Sequence, residues 1–470
     1  MRRLFSALIA AVMFISMVPV VPVYGQSPLV LDSPRVILVE QSTGRVLYAR
    51  YEHERMYTAN LSKMLTAMVV LDYLELDDIV TVGAEINNMP AGYATGLHSV
   101  GDVITVRMLL KAMLMHSGNE SARILAINVI RRREGRRNIH YDDGTRRAFS
   151  ILLNEKARSI GAVNSNFNNP YGRRHEHHFS TAYDMSVITR AFMEIPVLAE
   201  IAGTRYYTGY SLEGILYLDG NERQHTWVNT NLMLPGSTHG HPYVIGAKAG
   251  SNPQAGYSLA AVAYYNDLGL VAIVMGGTQP ERWQDTRRLL DYGFRNYRFR
   301  EIAQVGQLIG TVRIENPRRG DVDTLDIISG QSHTSLLSHL EYSYVRRVIT
   351  FDPLLLVEEA FPAADGSVML RAPIEYGTIV GNVEYFTGER LLFSAPVISG
   401  RNVYEHTFDS DMDYYIAMII NNIFTRNALP YWIGFFGVVF GILCLIIAIS
   451  VVRRNRRHDR QKPRNRYDRR

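Results

Sequence analysis

Cysteine is almost absent from this chain: its 470 residues include only Cys444, which lies in an apolar run near the C-terminus. One cysteine can form neither a disulfide framework nor a thiolate metal site. Internal repeats and low-complexity segments are also missing, except for a basic tail, and hydrophobic residues make up 47% of the chain. These features exclude a disordered or collagen-like protein and predict more than one folded domain.

Net positive charge is confined to the last 18 residues. The segment 453–470 contains ten Lys or Arg against Asp459 and Asp468, whereas the whole chain has a formal net charge of +5. The residues before that tail therefore sum to a net charge of −3. A nucleic-acid-binding domain carries clustered basic charge on its folded surface, so we expect no nucleic-acid partner.

Charge is missing from two apolar segments, one at each end. Met1-Arg2-Arg3 precedes the apolar run 4–20 and a small-residue stretch, which predicts a signal peptide over residues 1–25; an uncleaved N-terminal anchor is the alternative. Residues 433–452 contain no charged residue and follow Tyr431 and Trp432, which predicts a transmembrane helix over 428–452.

The basic tail predicts the orientation of this segment in a bacterial cell membrane. Positive residues stay on the cytoplasmic side, so we expect a single-pass protein with residues 453–470 in the cytoplasm and the main domains outside. Contact between the tail and anionic lipid headgroups is a second interpretation of the same charges.

The region between the two ends shows two patterns. Residues 26–297 mix helical periodicity with strands and form a predicted α/β domain, which begins with a hairpin around Ser42-Thr43-Gly44. Shorter strand-like segments with Pro and Gly predict a small β-sandwich over 298–403. These segments are 310–314, 345–351, 354–358, 368–372 and 378–386. Residues 404–427 are interpreted as a juxtamembrane connector.

Three short motifs, taken together, indicate a site of the kind that enzymes use. They are Asn60-x-x-Lys63 at a predicted helix start, Ser117-Gly-Asn119 between helices, and Lys248-Ala249-Gly250 on a predicted strand. Each motif alone is common in ordinary turns and helices. Their order matches the Ser-x-x-Lys, Ser-x-Asn and Lys-Thr-Gly motifs of serine penicillin-binding proteins.

The chain therefore resembles the low-molecular-mass D-alanyl-D-alanine carboxypeptidase family of penicillin-binding proteins, which are serine peptidases. Matching stretches over about 30–400 are 154–157, 168–172, 178–184, 229–232, 255–258 and 370–381. The resemblance implies an α/β penicillin-binding (β-lactamase/transpeptidase-like) domain, followed by a small all-β domain and the C-terminal transmembrane helix. It also implies that peptidoglycan stem peptides ending in D-Ala-D-Ala, or β-lactams, are the ligands, with no cofactor and no metal.

Asn60 departs from this family, because it stands where the family has its nucleophilic serine. An amide nitrogen has no usable lone pair and cannot form the acyl-enzyme ester. The resemblance gives Lys63 the role of base, Ser117 that of proton relay, and Asn119 that of substrate binding. It gives Lys248 a role in binding the substrate carboxylate.

Ala249 is a second departure, because the family has Thr or Ser there to bind the terminal carboxylate. Losing one hydrogen bond to a charged group costs about 1.5–3 kcal/mol. The oxyanion hole needs only backbone N–H groups, which the resemblance assigns to residues 60 and 251, next to Gly250. Asn60, Lys63 and Ser117 are thus the catalytic positions, and Asn119, Lys248, Ala249, Gly250 and Ser251 the substrate-binding positions.

Other residues offer weaker alternatives. Ser62 is the hydroxyl nearest to Asn60 along the chain, but it lies about 200° around the helix from that residue, so we expect it to face away from the cleft. Ser117 is another hydroxyl that could attack. His175, His177 and His178 surround Glu176 and could bind zinc, although the match of His178 to the family favours a structural role.

Three functions remain open from the sequence. The first is a wall-metabolism protein of this family that binds stem peptides or wall partners with lost or impaired acyl transfer. The second is an active serine-type carboxypeptidase that trims the terminal D-alanine of stem pentapeptides. The third is a structural scaffold at the cell envelope.

Overall fold

The computed structural model describes residues 29–87, 89, 96–210, 224–252, 255–357, 368–423 and 429–459. The chain divides into two compact units; the first ends at Phe299 and the second begins at Arg300. The predicted signal peptide over residues 1–25 lies outside the described residues, as does most of the predicted cytoplasmic tail. The boundaries predicted from the sequence therefore stay predictions.

The first unit is built on an antiparallel sheet of five strands, in the order β2-β1-β9-β8-β7. Strand β1 pairs with β9, so that the two ends of the unit meet in one sheet. Helices of this unit pack against β9, which is buried along nearly its whole length. The strands of this unit are β1 Arg35–Glu40, β2 Val46–Arg50, β3 Ile79–Thr81, β4 Val103–Thr105, β5 Tyr206–Tyr210, β6 Gln224–Val228, β7 Val244–Asn252, β8 Gly256–Tyr265 and β9 Leu268–Gly277.

Polar caps set where the helices of the first unit begin. Asp142 and Thr145 form a capping box at the start of one helix, and Thr278 and Glu281 form another. Such caps satisfy backbone N–H groups that have no partner within the helix. The helices are α1 Lys63–Leu71, α2 Val106–Leu114, α3 Asn119–Glu134, α4 Asp143–Ser159, α5 Ala182–Met193, α6 Pro196–Gly203 and α7 Gln279–Asn296.

The core of this unit surrounds α1, which is buried on every side from Lys63 to Val70. The apolar residues of α2, α3 and α5 close around it. Strands β3 and β4 form one short hairpin beside this core, and β5 and β6 form another. A wholly buried helix holds its first residue in a fixed position, and that first residue is the lysine of the first motif.

The second unit is rich in β-structure. Its main sheet has the order β14-β16-β17-β12-β11-β15, and β10 pairs with β13 in a smaller sheet. Alternate residues of β11 are buried, which is typical of a sheet with one covered face. The elements are β10 Tyr297–Ala303, β11 Leu308–Glu315, β12 Thr324–Ser329, β13 His333–Ser338, α8 His339–Ser343, β14 Val345–Phe351, β15 Met369–Arg371, β16 Ile379–Thr387 and β17 Arg390–Ser399.

The predicted α/β domain followed by a small all-β domain is confirmed, whereas the sandwich arrangement stays a prediction. The strand predicted over 354–358 is wrong for its described part, 354–357. Asp352 Oδ1 accepts a hydrogen bond from Leu354 N at 2.9 Å, and its carbonyl accepts one from Leu355 N at 3.1 Å. These bonds close a turn, which leaves only an isolated bridge between Leu356 and Leu370.

Two helices follow the β-rich domain. The predicted connector 404–427 contains α9, Phe408–Ile423, whose start is held by a hydrogen bond from Arg319 N to Asp411 Oδ1 at 3.2 Å. Helix α10 spans Leu429–Asp459. Its segment Trp432–Arg454, 23 residues long, has the length and the apolar composition needed to cross a membrane.

Candidate active site

Asn60 and Lys63 lie on a tight turn that leads into α1. Residues Ala59–Ser62 form one turn of 3-10 helix, and Ala59 has a left-handed φ of +46°. A left-handed conformation costs an L-residue about 1–2 kcal/mol, so the surrounding structure must hold this turn in place. The turn brings two side chains together, and Lys63 Nζ donates a hydrogen bond to Asn60 Oδ1 at 2.7 Å.

The Lys63 amine is fully buried and connects the first two motifs. It also donates to the backbone oxygen of Ser117 at 2.8 Å and to Asn119 Oδ1 at 2.6 Å. Three acceptors therefore face the three protons of its ammonium form. Burial lowers the pKa of Lys63 well below its usual value, the charge of Lys248 lowers it further, and Glu120 opposes both effects. Lys63 consequently gives up a proton more easily than a solvated lysine.

Ser117 bridges the two lysines of the site. It lies between α2 and α3 with a left-handed φ of +64°, a conformation uncommon for serine. Its backbone oxygen accepts from Lys63, while its Oγ accepts a hydrogen bond from Lys248 Nζ. Asn119 begins α3 immediately afterwards. The sharp change of direction at Ser117 thus places both polar groups of the second motif against lysine amines.

Lys248 lies on β7 and is almost completely buried. Besides Ser117 Oγ, its Nζ donates to Thr230 Oγ1 at 3.0 Å and to the Ala249 oxygen at 3.1 Å. Burial lowers its pKa to about 7, and the positive charge of Arg282 acts in the same direction. At neutral pH this lysine therefore exists in both protonation states.

Strand β7 lies very close to the turn that carries Asn60. A Cβ added to Gly250 would lie 3.2 Å from Asn60 N and 3.3 Å from Leu61 N, which is tighter than ordinary contact. Ala249 is buried and offers only a methyl group, whereas Ser251 is exposed at the end of the motif. The sequence-predicted residues of all three motifs are thus brought together, and residue 249 adds no hydroxyl to them.

Three further residues belong to this site, and the motifs did not identify them. Thr230 contacts Lys248, and Arg282 Nη1 donates to the Gly250 oxygen at 3.1 Å. Arg282 Nε is buried without a partner among the described residues. Glu120 is buried beside Lys63, and burial raises the pKa of its carboxyl. Arg282 could have been identified from helical periodicity, because it falls on the same buried face of α7 as Thr286.

Of the weaker alternatives from the sequence, Ser117 lies in this site, whereas Ser62 and His178 make contacts elsewhere. Ser62 Oγ is buried and donates to the Ala59 oxygen at 3.1 Å, on the side of Gly172. His178 is buried, and its ring nitrogens contact Thr58 Oγ1 at 3.0 Å and the backbone N–H of Asn168 at 3.1 Å. His178 is therefore already committed to protein contacts, which argues against the zinc site considered around Glu176.

Comparison with known proteins identifies the family. The sequence profile described as D-alanyl-D-alanine carboxypeptidase matches residues 23–279. The carboxypeptidase DacF of Bacillus subtilis is 26% identical over 68% of this chain and 78% of its own length. DacD of Escherichia coli is 27% identical over 81% of this chain and 89% of its own length.

A solved structure gives the same result for the fold. Penicillin-binding protein 5 from Haemophilus influenzae covers 81% of this chain and 100% of its own, with a TM-score of 0.54 and 23% identity. That likeness extends over both compact units, the α/β domain and the β-rich domain. The profile matches more than half of the residues, including all three motifs. This chain belongs to the D-alanyl-D-alanine carboxypeptidase family of cell wall metabolism.

Proposed function

We propose that this protein is a membrane-anchored member of the family that binds stem peptides ending in D-Ala-D-Ala, or wall partners, and does not form an acyl-enzyme. The observation that carries the proposal is the contact between Asn60 Oδ1 and Lys63 Nζ at 2.7 Å. At this position the reaction requires a hydroxyl that loses its proton to a base. Asn60 instead presents an amide oxygen that accepts a hydrogen bond from the lysine, so it offers Lys63 no proton to remove.

The chemical balance of acylation explains why Asn60 stops the reaction. In the family reaction the serine Oγ–H bond breaks, Oγ bonds to the carbonyl carbon, and the D-alanine amine leaves with a proton. The lone pair of the Asn60 amide nitrogen is delocalised into its carbonyl, so no comparable bond forms at neutral pH. Lys63 then serves as a hydrogen-bond donor within the protein.

The groups that would bind a ligand carboxylate remain. Lys248 and Arg282 supply positive charge in a buried setting, and Arg282 Nε has no hydrogen-bond partner among the described residues. Opposite charges attract more strongly where water is excluded. Ala249 contributes no hydroxyl, so affinity should be about ten- to a hundredfold below that of a site with threonine there. Weak, reversible binding of D-Ala-D-Ala peptides is the expected result.

The C-terminal segment supports a location at the membrane for the proposed function. Helix α10 contains a span long enough to cross the bilayer, and arginines follow it directly. We propose that the folded units lie on the outer side of the cell membrane and that the basic tail lies in the cytoplasm.

An active carboxypeptidase is the second candidate, and one specific contact favours it. Lys248 donates to Ser117 Oγ, and its pKa of about 7 makes the neutral amine available as a base. In that reaction Ser117 Oγ would lose its proton to Lys248 and bond to the substrate carbonyl carbon. D-Alanine would leave with that proton on its amine.

Labelling of the full-length chain in detergent with a fluorescent penicillin separates the two candidates. The first predicts no covalent label on the wild-type chain, together with saturable binding of an N-acetylated D-Ala-D-Ala peptide by calorimetry. The second predicts a label that Ser117→Ala abolishes. A label that survives Ser117→Ala would contradict both candidates, and peptide mapping would then identify the nucleophile. If the chain shows neither a covalent label nor peptide binding, the scaffold function is the candidate that is left.

A further inference from the structure

Three buried side chains outside the lysine site converge from distant parts of the first unit. The ligand atoms offered by His98, Asp102 and His225 all lie within 4.8 Å of one another. The exposed fractions of these residues are 9%, 1% and 3%. Two imidazoles and one carboxylate in a buried position form a ligand set that is characteristic of zinc.

The geometry of His98 points to a metal ligand. Its Nε2 lies 2.9 Å from Ser121 Oγ, while its Nδ1 is buried without a hydrogen-bond partner among the described residues. Metal-bound histidines typically donate their second ring N–H to a neighbouring oxygen, which fixes the tautomer. With Nε2–H donating to Ser121 Oγ, the Nδ1 atom of this tautomer carries a lone pair that no described residue uses.

Asp102 and His225 are held in place by their own neighbours. Asp102 Oδ2 accepts a hydrogen bond from Ser99 N at 2.8 Å, which orients the carboxylate. His225 lies on β6, and its ring stacks on Trp227 with centroids 5.3 Å apart. Trp227 Nε1 in turn donates to the Gly96 oxygen at 3.2 Å. The loop before β4 and the β5–β6 hairpin are therefore already joined around the cluster.

We propose that His98, Asp102 and His225 bind one divalent transition-metal ion, zinc by preference, with a water molecule as the fourth ligand. Ligand atoms about 2.0–2.2 Å from a tetrahedral zinc lie roughly 3.3 Å apart, so the cluster must contract by about 1.5 Å at most. Imidazole ligands disfavour calcium and magnesium, which prefer oxygen. This inference goes beyond the proposed function and does not depend on it.

The site would stabilise the second motif and would not take part in catalysis. A Cβ added to Gly96 would lie 2.4 Å from Ser121 Oγ, and one added to Gly118 would lie 3.0 Å from Gly96 N. The loop that carries His98 therefore rests directly on the residues that follow Ser117. A metal bound there fixes this loop and β6 against the start of α3 and keeps Ser117 and Asn119 in position.

Metal analysis of the untagged full-length chain in detergent tests the proposal. We expect about one zinc per chain after dialysis, and a Tm that rises by about 5–10 °C at a zinc concentration roughly 100 times Kd. His98→Ala and His225→Ala should weaken zinc binding by more than the roughly 10–100-fold that loss of an outer partner causes. The matched control is His175→Ala/His177→Ala, which removes two exposed histidines and should leave binding unchanged.

Cobalt substitution keeps the test decisive if the buried-site variants fail to fold. The wild-type chain and the His175→Ala/His177→Ala control should both show the intense visible bands of four- or five-coordinate Co²⁺, and zinc should displace them. Calcium and magnesium should not. Absence of these bands from the wild type, or their loss in the control, would overturn the proposal. Equal zinc affinity in wild type and a folded His225→Ala variant would also overturn it, and would leave a hydrogen-bonded histidine cluster.

Discussion

Asn60→Ser should convert this chain into a protein that penicillin acylates, if this residue alone blocks the nucleophile. The serine Oγ would occupy the place of the present amide carbon, because it is the next atom beyond Cβ. Lys63 Nζ lies 2.7 Å from Asn60 Oδ1. With a carbonyl bond of about 1.23 Å and an approach near the lone-pair direction, the new hydroxyl lies about 3.5 Å from Nζ. A lysine shift of about half an ångström then completes the hydrogen bond.

Two residues, Lys63 and Ala249, should set the acylation rate of the Asn60→Ser variant. General-base assistance contributes about 10²–10⁴-fold, so Asn60→Ser/Lys63→Met should acylate slower than Asn60→Ser by that factor. Methionine keeps most of the buried volume of Lys63. Adding Ala249→Thr to Asn60→Ser should raise the second-order acylation rate about ten- to a hundredfold, since one hydrogen bond to a carboxylate contributes about 1.5–3 kcal/mol.

Time courses with a fluorescent penicillin, followed by gel electrophoresis and mass spectrometry, measure these rates on the full-length chain in detergent. Asn60→Ala is the matched control, because it removes the amide without adding a nucleophile, and it should stay unlabelled. Labelling of the wild type as fast as that of Asn60→Ser would contradict a block at residue 60. An unchanged rate in Asn60→Ser/Lys63→Met would contradict the role of Lys63 as the base.

The remaining predictions concern the backbone and the charged groups of the site. Gly172→Ala should cost about 2–5 kcal/mol of unfolding free energy, because φ is +83° and the new Cβ would lie 1.8 Å from the Ala59 oxygen. Gly135→Ala, at φ +67° in open space, should cost only about 1–2 kcal/mol, and equal costs in denaturant unfolding would contradict this. Affinity for a D-Ala-D-Ala peptide, measured by calorimetry, should fall as pH rises through about 7, because Lys248 loses its positive charge, and Lys248→Met should remove this step. Arg282→Leu should weaken peptide binding about ten- to a hundredfold, whereas the exposed Arg288→Leu should not change it.

Much of the first unit could be predicted from local patterns. The hairpin around Ser42-Thr43-Gly44 is present as β1 and β2. Amphipathic periodicity also predicts a helix over residues 283–297, which is present as α7. Helix starts were less accurate. Apolar periodicity predicts a helix over residues 149–160, whereas α4 begins at Asp143, because the Asp142 capping box sets its start. Periodicity identifies which face of a helix is buried, whereas polar side chains decide where that helix begins.

The β-rich domain was harder to predict for a related physical reason. Strand β17 was missed because it is half exposed and contains Pro396, which weakens the strand pattern. The segment around Leu354 looked like a strand, but the Asp352 carboxylate closes a turn there. Short polar side chains that bond to nearby backbone compete with strand pairing, and composition alone does not show which of the two wins.

At the site, the resemblance supplied the three motifs and the fold brought them together. Thr230 and Arg282 were missed because their roles depend on contacts with Lys248 and Gly250, which are distant in the sequence. The cluster of His98 and His225 was missed for the same reason, since 126 intervening residues separate these two histidines. Motifs report residues that act together over short spacings, whereas convergence across a fold becomes visible only in three dimensions.

The turn that carries Asn60 has an evolutionary consequence. Its backbone is confined by neighbours on two sides, with the Ala59 oxygen against Gly172 and the Asn60 N–H group beside Gly250. The side chain at position 60 does not shape this turn, so serine and asparagine can exchange there without rebuilding the fold. Their codons AGU and AAU differ by a single base. A single base change therefore interconverts the two residues, so that one nucleotide in the gene decides whether a hydroxyl or an amide lies beside Lys63.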